Sequence, residues 1–252
     1  MGHKLDRSGL KPETMTRDEL ERILAEFPNI SVLVVGDFCL DRWCTYDPEL
    51  ASASRETGIP RTAVVACEVT PGAGGTVTNN LKELGAGRIG IVAVVGDDGN
   101  GFELERALRC RGIGTQYLLR APGRHTFTYT KLLNARTGEE DLPRLDFVNT
   151  APPGAEVEQK IVEALDASIP AADVVLVADQ SEIAGGAVIT DRVREALIAA
   201  AERFPEKVFV ADSRAQVEKF RGLIVKPNED EAREAVRRIC CAGDDSGESP
   251  RP

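Results

Sequence analysis

The chain has 252 residues, 42% of them hydrophobic and 29% charged, with a formal net charge of −10 at pH 7. That length buries a sizeable core and fits one α/β domain with a small appendage. The acidic balance argues against nucleic acid as a partner, whose phosphates need basic patches, and no apolar run is long enough to span a membrane.

Residues 1–29 read as a polar tail and a lead-in helix, and the opening MGHKLDRSGLK has no apolar core of the kind a secretory signal needs. Thr16 and Glu19 form a capping box, followed by Leu20, Ile23, Leu24 and Phe27 at helical spacing. Residues 30–35 form a continuous apolar run, as in a central parallel strand buried on both faces, and Gly36 closes it. Residues 37–42 follow as a turn. Ligands of open α/β sheets bind beyond the carboxyl ends of strands, so Asp41 is placed to accept hydrogen bonds from a polyol; an Asx turn is the alternative.

Segments 43–70 and 125–148 alternate without a helical period and read as one small β-sheet added to the main domain. Between them lies the stretch that organises the chain, residues 71–101. Its glycine turn, Gly72, Gly74 and Gly75, opens a helix carrying Val77, Leu81 and Leu84, which Gly85 stops. A strand over 89–95 and a second turn, Gly96-Asp97-Asp98, follow. Glycines at a helix start let the backbone approach a ligand and leave N–H groups pointing outward. The turn lacks the Gly-Lys-Ser/Thr of a Walker A loop and the order of a dinucleotide fingerprint.

Helices are expected over 102–108, 157–165, 191–203 and 231–239, and strands over 116–119, 172–178, 207–211 and 223–225, with Asp179 and Asp212-Ser213-Arg214 at carboxyl ends. Such alternation implies right-handed crossovers and a doubly wound, mostly parallel sheet over residues 30–241. Residues 242–252 read as a disordered tail. The six cysteines form no C-x-x-C pair and read as reduced thiols of a cytoplasmic protein; with only His3 and His125, histidine metal sites and Ser/His/Asp triads are not expected.

The order of the glycine turn, Asn80, Leu84-Gly85-Ala86 and Gly96-Asp97-Asp98 with Gly101 resembles the first signature of the ribokinase-like (PfkB) sugar kinases. Residues 34–42, VVGDFCLDR, look like their first strand and turn, and Lys226-Pro227-Asn228-Glu229-Asp230-Glu231 looks like their Pro-Asn-x-x-Glu segment. The Gly-Asp-x-x-Leu-Asp-Arg turn and Arg144-Leu145-Asp146-Phe147 are most similar to the heptose-7-phosphate kinases. The resemblance runs from about residue 27 to about residue 237. It implies transfer of the ATP γ-phosphoryl group, with Mg²⁺, to a hydroxyl of a sugar or sugar phosphate. It further implies that Asp41, Gly72, Thr76 and Asp179 hold the sugar, that Arg214 lies near the nucleotide, and that Asn228 and Glu231 organise magnesium and phosphate. Read without the resemblance, Glu231 belongs to the solvated face of an acid-rich helix.

In the resembling kinases the appended sheet is a lid over the sugar and often a homodimer surface, so Trp43, Phe127 and Tyr129 pack either across a partner or within their own domain. The chain departs from the family's pattern at Thr76, where the family usually has Asn, and at Gly72-Ala73, where two glycines are common. The family's Gly-Ala-Gly-Asp segment, with its anion hole and catalytic base, lies well beyond the Pro-Asn-x-x-Glu motif, and this chain ends soon after that motif. The expectation is therefore a sugar kinase with no assigned catalytic residue. The alternative is a truncated, non-catalytic module that binds a sugar phosphate or dimerises.

Overall fold

A computed structural model describes residues 15–181 and 187–244. In chain order the elements are α1 (Arg17–Glu26), β1 (Ser31–Gly36), β2 (Phe38–Tyr46), β3 (Ser52–Ala53), β4 (Pro60–Arg61), β5 (Val64–Ala73) and α2 (Gly74–Glu83). There follow β6 (Arg88–Gly96), α3 (Gly99–Cys110), β7 (Gly114–Ala121), β8 (Thr128–Asn134), β9 (Leu145–Phe147) and α4 (Ala155–Ser168). The last are β10 (Val174–Asp179), α5 (Asp191–Arg203), β11 (Val208–Ser213), β12 (Ile224–Val225) and α6 (Glu229–Asp244). Of the expected disordered tail, residues 242–244 instead continue α6, and residues 245–252 lie outside the described residues, as does most of the N-terminal tail.

Among the described residues six strands form one parallel sheet in the order β12-β11-β10-β1-β6-β7. β1 lies inside it and is apolar on both faces, because each face meets helices. Leu33 and Val35 pack with Ile161 and Leu165 of α4 and Val193 and Leu197 of α5. Val32 and Val34 pack with Leu104 and Leu108 of α3, against which Val77 and Leu81 of α2 also rest. Each such side chain contributes roughly 1.5–3 kcal/mol by leaving water, so a polar residue at any of these strand positions would be costly. From β1 the chain steps outward through β6 to β7, then returns to the other side of β1 as β10 and steps away through β11 to β12. The reversal makes the carboxyl ends of β1 and β10 a topological switch point, where open α/β sheets form a crevice.

The second, four-stranded sheet has the order β5-β2-β8-β9 and rises from that crevice. Residues 37–42 are therefore not a turn: a single residue, Asp37, separates β1 from β2. Gly36 makes the sharp change of direction with φ +133°, and a Cβ there would lie 2.2 Å from the Ala178 carbonyl oxygen. Residues alternate between faces of the lid. Asp41, Tyr129 and Asp146 form one row in register across β2, β8 and β9. Phe127 is buried within its own chain, and Tyr129 lines the cavity described below. Trp43 is 36% exposed, with the Lys131 ammonium 4.3 Å from its ring centre.

β5 turns into α2 through Ala73, which has φ 52° and ψ −118°, the one non-glycine with positive φ among the described residues. A Cβ in that region is strained, typically by about 1–3 kcal/mol, and a glycine there would relieve it. Ala73→Gly is expected to stabilise the protein by about 1 kcal/mol, the relief of strain outweighing the extra freedom of glycine in the unfolded chain. Urea unfolding checks this; a variant less stable than the parent would show that Ala73 is not strained.

Candidate functional site

Asp37 is the hub of the crevice. Its backbone N–H donates to the Ala178 carbonyl and its own carbonyl accepts from Gly74 N–H, both at 2.9 Å, linking β1, β10 and the start of α2. Its carboxylate accepts three backbone N–H bonds, from Gln180 and Ser181 at 2.9 Å and from Val188 at 2.8 Å. The segment after β10 is thereby pinned to the end of β1. Burial pushes the Asp37 carboxyl up to about 6, the nearby charge of Asp179 adds to the rise, and the backbone bonds oppose it.

Above Asp37 lies a cavity of about 380 Å³, within the range of small-molecule sites. Its floor is Asp37, Phe38, Gln180 and Ser181, and its lid side is Asp41, Tyr129, Arg144 and Asp146, with Arg214 at the margin. Asp41 accepts a weak bond from the Cys39 thiol at 3.6 Å, which leaves carboxylate capacity for a hydroxylated ligand. Burial raises its pKa, against the Cys39 hydrogen bond and the charges of Lys131 and Arg144. Arg144 forms a two-pronged pair with Asp146, at 2.7 and 2.6 Å, and its guanidinium lies 4.9 Å from the Tyr129 ring centre. The cavity thus offers a carboxylate at one place and an oriented cation at another.

Gly72 sits on β5 opposite Cys39, and a Cβ there would come within 2.3 Å of Asp41 Oδ2. Glycine at this position is what leaves room for the Asp41 carboxylate. Thr76 is exposed on the first turn of α2 and is not among the residues lining the cavity. Asp179 is buried and turned away from it: Ser213 Oγ donates to Asp179 Oδ2 at 2.6 Å, and Gln216 N–H donates to that hydroxyl at 3.0 Å. Burial raises the Asp179 pKa, offset by Ser213, Arg194 and Lys219. Of the four residues expected at the sugar, Asp41 lines the cavity and Gly72 lies directly against the Asp41 carboxylate; Thr76 and Asp179 stand apart from it.

A second, more open cavity of about 460 Å³ is lined by Gln180, Asp212, Arg214, Lys226, Asn228 and Glu231. Gln180 and Arg214 line both cavities, and Arg214 Nε donates to Gln180 Oε1 at 3.1 Å. Lys226 pairs with Asp212 at 3.1 Å. Asn228 and Glu231 form a reciprocal cap at the start of α6: Glu231 N–H donates to Asn228 Oδ1 at 2.9 Å and Asn228 N–H to Glu231 Oε2 at 2.7 Å. No cluster of three or more His, Cys, Asp or Glu side chains suited to a metal occurs among the described residues. The donor set still fits a hydrated magnesium polyphosphate, which needs only one or two carboxylates besides phosphate and water, with cations for the remaining charge.

Sequence reading missed Asp37, Tyr129, Arg144 and Asp146 as lining residues. The signals were present: an aspartate directly after the central strand's last glycine, and Arg144 and Asp146 spaced to share one face of a strand.

The folded-state pKa of Asp37 lies above its unfolded value. Its contribution to stability is therefore fully present below about pH 4 and lost as pH rises through about 6. Relative to Asp37→Asn, the wild type should lose on the order of 2–3 kcal/mol across that window. Paired denaturant titrations from pH 4 to 7 check this, and a difference that does not change with pH would contradict it.

Residues 30–239 match the model of the pfkB family of carbohydrate kinases. The bifunctional protein HldE of Rhodopseudomonas palustris (strain BisA53) is 32% identical over 220 residues, which are 87% of this chain and 43% of that protein. The chain thus spans less than half the length of the curated relatives it matches. A carbohydrate kinase from Agrobacterium tumefaciens superposes with a TM-score of 0.54 at 22% identity, covering 83% of this chain and 67% of that one. Arabidopsis thaliana ribokinase, solved with ribose and ATP, gives 0.51 at 14% identity, covering 85% and 69%. With an α/β fold of this kind and a family match across most of its length, the chain belongs to the pfkB family of carbohydrate kinases.

Proposed function

We propose that this chain carries the sugar-binding part of an ATP-dependent carbohydrate kinase acting on a sugar phosphate, of which heptose 7-phosphate is the leading candidate. The observation that carries the reading is the pairing of Asp41 with Arg144 in one cavity of about 380 Å³. A carboxylate can accept two sugar hydroxyls, and a guanidinium is shaped to take phosphate oxygens in a forked contact. Asp146 orients Arg144 until a more highly charged group competes for it.

The second cavity is the proposed place of ATP. Arg214 and Lys226 would hold the phosphates, and Asp212 and Glu231 would share a hydrated Mg²⁺. When bound, that ion neutralises charge on the transferring phosphoryl group. Arg214 and Gln180, lining both cavities, would align the sugar hydroxyl with the nucleotide and keep the two ligands in contact. No residue of the chain is assigned as the base that takes the hydroxyl proton. A homodimer through the lid belongs to the same reading, supported by the exposed Val64 and Val65 on the edge strand β5. A cytoplasmic setting accords with the substrates and with the absence, among the described residues, of a helix long and apolar enough to cross a membrane.

Asp41→Ala should weaken sugar-phosphate binding by about 10–100-fold, the loss of a charge-assisted hydrogen bond, without changing the circular dichroism spectrum. Arg144→Ala should weaken a sugar phosphate while leaving the unphosphorylated sugar nearly unaffected. Isothermal titration reads both, and unchanged affinity in either variant would remove that residue from the site. ADP release in a coupled assay with heptose 7-phosphate supports the kinase reading. Saturable binding without turnover supports instead a sugar-phosphate-binding module.

A further inference from the structure

The lid holds a second feature that no sugar-binding role uses. Cys44 on β2 and Cys67 on β5 are directly opposed across the antiparallel pair, with their sulfurs 3.6 Å apart. Opposed residues of such a pair have Cα atoms about 4.5–5.5 Å apart, inside the span a disulfide bridges. Strand alternation turns Cys44 to the face opposite Asp41, the face on which Arg42 reaches α3 through Asn100 at 2.9 Å and through Glu103. Cys44 is buried and Cys67 is exposed. The ladder shifts register just past Cys44, between Thr45 and Tyr46.

We propose that Cys44 and Cys67 form a reversible dithiol–disulfide couple that staples the two lid strands. The oxidant is a low-molecular-weight disulfide, RSSR. Cys67, the exposed thiol, loses its proton to solvent and attacks one sulfur of RSSR, forming a mixed disulfide and releasing RS⁻. Cys44 then gives its proton to solvent and attacks the Cys67 sulfur, expelling the second RS⁻ and closing the protein disulfide. Two thiols and RSSR become one disulfide and two RSH, and the two electrons pass to the small molecule. Burial, reinforced by the hydrogen bond to Cys67, holds the Cys44 thiol up at about 11, so entry is through Cys67 and ring closure is the slower step.

Closing the bond would fix the register beside the bulge and close a covalent loop around the connection between β2 and β5, residues 47–63, which carries β3 and β4. It would do so without placing any atom in the cavity. The inference holds whatever ligand the cavity takes.

The test uses the full chain with the other exposed cysteines replaced, Cys110→Ser, Cys240→Ser and Cys241→Ser, treated with oxidised glutathione. The expected product is about 2 Da lighter, the mass of two hydrogens, carries no glutathione, and yields a Cys44–Cys67 cross-linked peptide in a non-reducing map. Its melting temperature should rise and return on addition of dithiothreitol. Adding Cys44→Ser should leave glutathione attached to Cys67 and abolish the rise. A stable glutathione adduct on Cys67 with Cys44 present, no reaction, or a cross-link to Cys39 would each overturn the proposal. If the triple variant fails to fold, the same peptide map on the briefly oxidised natural chain decides it.

Discussion

The fold around the crevice depends on one buried carboxylate. Asp37 receives three backbone N–H bonds from the segment that follows β10, while its own main chain bonds β10 and α2. A buried carboxylate is costly unless hydrogen-bonded. Here those bonds offset the cost and hold the segment after β10, while the main-chain bonds of the same residue tie the ends of β1 and β10 to the start of α2. The balance is incomplete, which is why burial still leaves the group titrating near 6. The same residue is the entire connection between β1 and β2, so it sets where the first lid strand leaves the main sheet.

From that constraint the two cavities follow. Asp37 holds Gln180 and Ser181 at the floor of the first, and Gln180 in turn contacts Arg214, which borders the second. The lid brings Asp41, Tyr129, Arg144 and Asp146 over the same floor. The charges come from elements far apart in sequence, and small residues make room for them: glycine at position 72 because of the Asp41 carboxylate, glycine at 36 because of the Ala178 carbonyl. Ala73 has taken a backbone shape better suited to glycine. Strain of this kind persists where surrounding structure over-determines the backbone, and here the neighbours are the Gly74–Asp37 hydrogen bond and the β2–β5 ladder.

The main sheet was legible because its signals are local. A continuous apolar run marked β1, and glycines marked where strands gave way to turns. Helix α5 was legible over its full length from Asp191 to Arg203 by its apolar period. The lid was harder. β2 is mixed in character, with Cys39, Asp41, Arg42 and Trp43 in one strand, because one of its faces meets a polar cavity and the other meets α3 through an ion pair. Period alone cannot distinguish that from a turn. Asn228 and Glu231 show the converse difficulty. Their spacing fits both a family motif and a helix cap, and the structure uses them as the cap while leaving them beside the second cavity. Asp179 looked ligand-facing from its place at a strand end, but side chains there point in or out, and Ser213 draws it inward.

The central claim is that the space between Asp37 and the lid is where a sugar phosphate binds. Hydrogen–deuterium exchange with and without heptose 7-phosphate tests it most directly, because it reads location rather than affinity. The account predicts slower exchange in Phe38–Tyr46, Thr128–Asn134 and at Gln180 and Ser181, with the distant surface of α1, which leads into the amino end of β1, unchanged. Protection absent from the lid strands, or confined to that distant surface, would contradict it.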